Sequence, residues 1–431
     1  MSRSLTLPVR TLRTNALIGP AAALFISANI ANAANLVFNM VFARIMGPAA
    51  FADLTLLLTL KLGLLSFLGA LQFAFAELTA KEGKVEHSRD RAHALSWRSL
   101  RFSIPAMFIV IALSNYISGS LNFSSSTALC VLALAVPFFL PMVIYRGLTQ
   151  GLIDLPKIIL SIQAEWIIRL LGSLILWRLG FGLAGIAAAV GLSIMAGFFF
   201  SMRQEDIKSL RLRKGPALDP QTKALGVVAL PYLILQIAQV LVLDSDILIA
   251  KASFSPEIAG LVAGLLLIQR VFFFAFLSCS TILQPLVAKQ KDVQKSPQEL
   301  LMLLGAVALV TVGSMVIILP NSDLIVSIML GNEYLALSSI VWISALTGAV
   351  FIGSHLCAIY QIAKGKSFAA FVVLLFGAIQ LVSLTAVNHF FPDIGLHTYF
   401  SLKLLIQISC AATLIGIILM PSKKRETGSL I

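Results

Sequence analysis

Apolar runs dominate this chain, and they are too long and too numerous for the core of a water-soluble protein. Runs of about 20 residues, the length that crosses a bilayer's hydrocarbon layer as a helix, fall near 16–43, 52–76, 102–121, 127–147, 158–178 and 183–202. Six more fall near 225–250, 257–284, 301–320, 335–362, 367–387 and 397–420. With 58% hydrophobic and 12% charged residues and a mean hydropathy of +0.95, lipid has to solvate most of these side chains. The expected fold is all-α, a polytopic membrane protein of about twelve transmembrane helices.

Basic residues set the expected orientation, because loops rich in Lys and Arg stay on the cytoplasmic side. Arg3, Arg10 and Arg13 precede the first run, and Lys81, Lys84, Arg89, Arg91, Arg98 and Arg101 lie between the second and third. Every even-numbered loop and the Lys423-Lys424-Arg425 tail continue the pattern, whereas the opposite side carries only Arg44, Arg178 and Lys251. Both termini are expected in the cytoplasm. The net charge of +13 is then a topology signal and does not point to nucleic acid. Ala31-Asn32-Ala33 mimics a signal-peptide cleavage site, but the apolar run continues through Val41, so this helix is expected to be retained.

The two halves of the chain repeat each other. Asn29, Asn32, Asn39 and Arg44 match Gln236, Gln239, Asp246 and Lys251 at one constant offset, and Pro48 matches Pro256 at an offset one residue larger. The longest polar interruption, 203–223, divides the helices six and six. An even number per half gives both lobes the same orientation, as a parallel repeat. The boundary is expected between an N-terminal lobe, 1–213, and a C-terminal lobe, 214–431, around a central cavity.

No phosphate-binding loop, zinc-protease or serine-hydrolase motif occurs, so no enzymatic role, cofactor or metal is expected. Cys130, Cys279, Cys357 and Cys410 lie in apolar runs without a CxxC pair and read as reduced. His87, His93, His389 and His397 read as solvated loop residues, and His355, within a span, as a packed histidine or a proton carrier.

The charges left inside the spans are the informative ones. Lys61, Arg169, Arg270 and Lys403 would together cost about 10 kcal/mol if lipid surrounded them, so they must face protein or water. Glu165 precedes Arg169 by four residues, the acid-first spacing of an ion pair on one helical face, although the pair also suits a cavity wall. Lys61 and Arg270 have no such local partner. Shifted onto the second half, Lys61 falls on Gln269, beside Arg270, so corresponding spans each carry a cation. These cations either face the space between the lobes, where they would hold an anionic group, or form tertiary pairs with acids such as Asp246 or Glu77.

Asn29, Asn32 and Asn39 share one helical face, with Asn35 slightly to the side, and Gln236, Gln239 and Asp246 repeat the stripe. Such amides either join helices or line a wet path suited to sugar hydroxyls. Arg44 and Lys251, beside the turns Gly47-Pro48 and Ser255-Pro256, read as snorkelling anchors. Arg146 and Lys157 flank an expected turn over Gly147-Leu148-Thr149-Gln150-Gly151, at the membrane surface.

In three stretches the chain resembles the polysaccharide transporters of the multidrug/oligosaccharidyl-lipid/polysaccharide exporter superfamily, which include O-antigen and exopolysaccharide repeat-unit flippases. They are Phe42-Ala43-Arg44-Ile45-Met46-Gly47-Pro48-Ala49-Ala50-Phe51, Tyr145-Arg146-Gly147-Leu148-Thr149-Gln150-Gly151, and Asp246-Ile247-Leu248-Ile249-Ala250-Lys251 with Ser255-Pro256-Glu257-Ile258-Ala259-Gly260. The resemblance implies a flippase of the bacterial inner membrane that moves a lipid-linked oligosaccharide, on undecaprenyl pyrophosphate, to the periplasmic leaflet for surface polysaccharide biosynthesis. On that reading Lys61, Arg270, Arg169 and Lys403 are the substrate-binding cations, and Asn29, Asn32, Asn39, Gln236 and Gln239 form the polar stripe. The implied partners are the lipid-linked oligosaccharide, membrane lipids, and a polysaccharide polymerase with its chain-length proteins. One alternative is a proton- or sodium-coupled antiporter for drugs or organic cations, with Asp246, Asp244 and Glu165 as the coupling acids. A second is a non-transporting scaffold of an envelope-polymer assembly.

Overall fold

The computed structural model describes residues 14–82, 85–209, 220–289, 298–391 and 394–419, which are helices and short turns with no strand among them. The first two apolar runs form one element, α1 (Thr14–Glu82), broken at Gly47, whose φ of 72° lies in the left-handed region that glycine tolerates. Unbroken, its 69 residues would reach about 100 Å, over three times the hydrocarbon thickness. The chain must reverse at Gly47 to keep both arms, 14–46 and 48–82, in one bilayer. Pro48 opens the second arm, where its missing N–H leaves no bond unmade.

The N-terminal half continues with α2 (Val85–Ser120), α3 (Ser126–Ala133), α4 (Val136–Gly151), α5 (Leu155–Arg178), α6 (Gly182–Ser201) and the short α7 (Gln204–Ser209). The C-terminal half holds α8 (Pro220–Ser253), α9 (Pro256–Lys289), α10 (Gln298–Ile318), α11 (Ser322–Met329), a 3-10 turn (Asn332–Leu337), α12 (Val341–Ala363), α13 (Phe368–Phe390) and α14 (Leu396–Leu419). Among the described residues, ten helices are long and apolar enough to span a membrane, and α3 with α4 forms one further span bent by 44°. Because the span at 26–80 holds both arms of α1, the count agrees with the expected twelve.

Each half leads into its fourth span in a similar way. An eight-residue helix, α3 or α11, precedes the long α4 or α12. Arg89, Arg91, Arg98 and Arg101, expected between spans, lie on α2, which extends well past its apolar run. The helices of each half pack on one another, and the halves meet where α1 lies against α8 and α9. The expected boundary at 213/214 lies outside the described residues.

The stretch from Gly147 to Gly151, expected as a turn, is the last turn of α4. Its glycines serve contact between helices. A Cβ on Gly147 would meet the Gln72 carbonyl at 2.8 Å, and one on Gly151 would meet the Ala76 carbonyl at 2.5 Å. Two glycines four apart thus let α4 rest directly on the backbone of the second arm of α1, the close approach that small residues give membrane helices.

Candidate functional site

Between the first arm of α1 and α9 lies a cavity of about 210 Å³. Its α1 wall is the amide stripe, Asn29, Asn32, Asn35 and Asn39, and its α9 wall carries Arg270 and Phe274. Asn39 donates to the Asn35 carbonyl at 2.7 Å, and its own Oδ1 is buried without a protein donor. The helical period predicted from sequence therefore places three amides and Asn35 on one wall, facing the opposite lobe. The corresponding amides of the second half, Gln236 and Gln239, lie on α8, half-buried and buried, and are not among the residues lining this cavity.

Arg270 is the cation that joins the cavity to both lobes. Its Nε donates to Asp244 at 3.0 Å and its Nη2 donates across to the Thr59 hydroxyl of α1 at 2.9 Å. Two residues further along α8, Asp246 is fully buried and takes an ion pair from Lys403 of α14 and a hydrogen bond from the Tyr399 hydroxyl at 3.3 Å. The Lys403 ammonium also donates to Gln269 at 2.8 Å. Lys403 is wholly enclosed in its own lobe, away from the cavity.

In the N-terminal half, Glu165 on α5 is the hub. Lys61 donates to its Oε1 at 3.0 Å and Arg146 to its Oε2 at 2.9 Å, while Arg146 also donates to the Ser161 hydroxyl at 2.9 Å. The expected pair of Glu165 with Arg169 does not form. Both oxygens of Glu165 are taken by cations from other helices, and the Arg169 guanidinium lies over the Phe38 ring, 5.4 Å from its centre, with its Nε unbonded. Two cations therefore bind one carboxylate while Arg169 stands near it unpaired with it, which leaves this cluster electropositive.

Lys61 and Arg270, the cations on corresponding spans, thus each bind a carboxylate of their own lobe, Glu165 and Asp244, and not Asp246 or Glu77. The sequence missed Arg146 as an interior cation because it stands at a helix end, and it missed Asp53, a lone acid in an apolar run. Asp53 receives Lys251, which is 2% exposed and hence is no snorkelling anchor. Arg44 likewise binds protein, donating to carbonyls of α11.

Away from the spans, Arg203 donates to Asp154 at 2.6 Å, a bond that raises the guanidinium's pKa above its usual value. Burial raises the Asp206 carboxyl, against the opposing pull of the Arg203 amide and of Arg89. His93 is buried on α2, edge-on to Trp97, and His355 is packed between Phe273 and Phe351. Cys130, Cys357 and Cys410 are free thiols, and the Cys279 side chain lies outside the described residues.

No family model and no curated protein matches the sequence. Solved structures do match the fold. The inward-facing conformation of a multidrug resistance MATE family transporter of the MOP superfamily superposes with a TM-score of 0.75 at 13% identity, over 89% of this chain and 93% of the other. An outward-facing MATE transporter gives 0.65 at 14% identity, over 93% and 94%. A MOP superfamily transporter from Pyrococcus furiosus, described as having a binding pocket of reverse polarity that suggests a different function, also gives 0.65 at 14%, over 93% and 94%. The chain is a multi-pass membrane protein with the fold of the MATE transporters of the MOP superfamily.

Proposed function

We propose that the chain is a secondary transporter that exports an amphipathic solute by alternating access, the two halves rocking about the cavity between α1 and α9. The observation that carries this reading is the cavity itself, a largely apolar space that carries an amide stripe and Arg270 at the seam of two repeated halves. Repeats that share one orientation and enclose a midplane site are the mechanical plan of such transporters. At about 210 Å³ the cavity is smaller than the roughly 300–1,000 Å³ of drug-sized sites. The halves therefore have to part further when solute enters.

Two finer readings of the solute have separate support. The names of the similar structures, multidrug MATE transporters, favour an antiporter that expels drugs or organic cations in exchange for a proton or sodium, with Asp244, Asp246 and Glu165 as the groups to exchange it. The cavity lining favours the other reading, a flippase for a lipid-linked oligosaccharide. The residues that line it are amides, apolar side chains and Arg270, with no carboxylate, which suits sugar hydroxyls and an anionic linkage. The basic loops favour cytoplasmic termini on either reading.

The experiment is a pair of assays on one strain. Efflux of a cationic dye that falls when the gene is deleted and returns with the wild-type chain supports the antiporter. Unchanged efflux, with loss of surface polysaccharide and accumulation of lipid-linked units in the deletion strain, supports the flippase. A deletion that alters neither sinks both finer readings, and loss of surface polysaccharide without accumulation of lipid-linked units leaves the scaffold.

A further inference from the structure

The halves are bolted together at one face of the molecule, the one that carries the Gly47 and Ser255 turns. Lys251, near the end of α8, reaches into the opposite half and pairs with Asp53 at 2.7 Å, both side chains being less than one-tenth exposed. The Lys251 carbonyl accepts from Asn122 of the N-terminal half at 3.1 Å. Arg44 makes the reciprocal reach. Near the end of the first arm of α1, it donates to the Ser327 carbonyl at 3.0 Å and to that of Ile328.

These two basic residues are repeat mates, at corresponding places in the two halves. Each stands at the end of the first helix of its half and crosses to the other. The side-chain targets differ, Asp53 for Lys251 and carbonyls in the last turn of α11 for Arg44, but Asn122, which donates to the Lys251 carbonyl, lies just before α3, the counterpart of α11. In both reaches an N–H group of one half satisfies a carbonyl that the end of a helix in the other half leaves unbonded, and Arg44 adds the favourable charge for a helix C-terminus. Backbone contact closes the seam between them. A Cβ on Gly260 would lie 2.2 Å from the Pro48 carbonyl carbon, so only glycine fits there.

We infer that Asp53, Lys251, Arg44 and Asn122 form a two-fold latch that holds this face shut and must open once in each transport cycle. The inference rests on the alternating-access reading. The latch is built of polar contacts that water can replace at little cost, flanking a glycine contact that slides apart without side chains to unthread. Lys251 without Asp53 would be a buried charge with no partner, so the pair acts as a switch with two states, closed and paired or open and hydrated.

The test reads distance, not transport. In the full chain, with its four cysteines replaced, spin labels at Arg178→Cys and Asn321→Cys report the separation of the halves in lipid nanodiscs. The wild-type background is expected to give mainly the short separation. Asp53→Asn with Arg44→Gln should raise the ratio of long to short separations by at least about tenfold, and the exchanged pair Asp53→Lys with Lys251→Asp should bring it back. Arg44→Gln alone, on an exposed side chain, should fold normally and shift the ratio in the same direction. An unchanged distribution in every variant overturns the latch and leaves the transport reading standing. A shifted distribution with export unaltered in every variant keeps the latch and overturns alternating access.

Discussion

Glu165 shows best how a single residue depends on the whole fold. Its four-residue spacing from Arg169 is an ion-pair signal by local geometry, yet Lys61 and Arg146 arrive from α1 and α4 and occupy both oxygens. Spacing along one helix is visible in sequence; competition from other helices is not. Replacing Glu165 with Gln leaves two enclosed cations without a counter-charge, and removing one partner of a buried pair costs about 3–5 kcal/mol. The expected result is a clear fall in melting temperature in detergent. Arg169→Gln, which removes a guanidinium with an unbonded Nε, should shift melting much less. A larger loss from Arg169→Gln would show that Arg169 and not Glu165 organises this cluster. Asp53 gave no sequence signal beyond its being an acid in an apolar run, because its partner is almost 200 positions away.

Among elements, the contact of α4 with the second arm of α1 rests on two hydrogens. Gly147 and Gly151 put the α4 backbone against the Gln72 and Ala76 carbonyls, so Gly151→Ala should lower the melting temperature or the yield of folded protein. Gly69→Ala makes the opposite case. Nothing lies within 4 Å of a Cβ there, and alanine gains up to about 1 kcal/mol over glycine in a helix. That variant should melt at or above the wild-type temperature, and both effects are read in one thermal-shift series. In sequence the glycine pair reads as a turn, since glycines near basic residues at a span's end resemble one. Whether a glycine breaks a helix or docks it is decided by what stands opposite, and that is not local information.

For the molecule as a whole, the wet or dry character of the amide stripe divides the readings. If the cavity holds water, a cysteine at Asn32 reacts with a water-soluble maleimide in reconstituted protein, in a background lacking the native cysteines. One at Phe42, fully buried on the same arm, should react at least about tenfold more slowly, since thiolate access to water sets the rate. Equal, slow labelling at both sites would mean that the stripe only joins helices. The sequence by itself determined the number of spans, the reversal at Gly47-Pro48, the doubling of the chain and the shared face of Asn29, Asn32 and Asn39. Each follows from a local rule: span length, backbone freedom, spacing or helical period. The tertiary structure alone decided which carboxylate each buried cation meets, that Lys403 is sealed inside its lobe while Arg270 reaches the seam, and that Arg44 and Lys251 cross between halves. Ion pairs in a low-dielectric interior are chosen by whichever helix faces which, and helix packing brings together residues that no spacing along the chain relates.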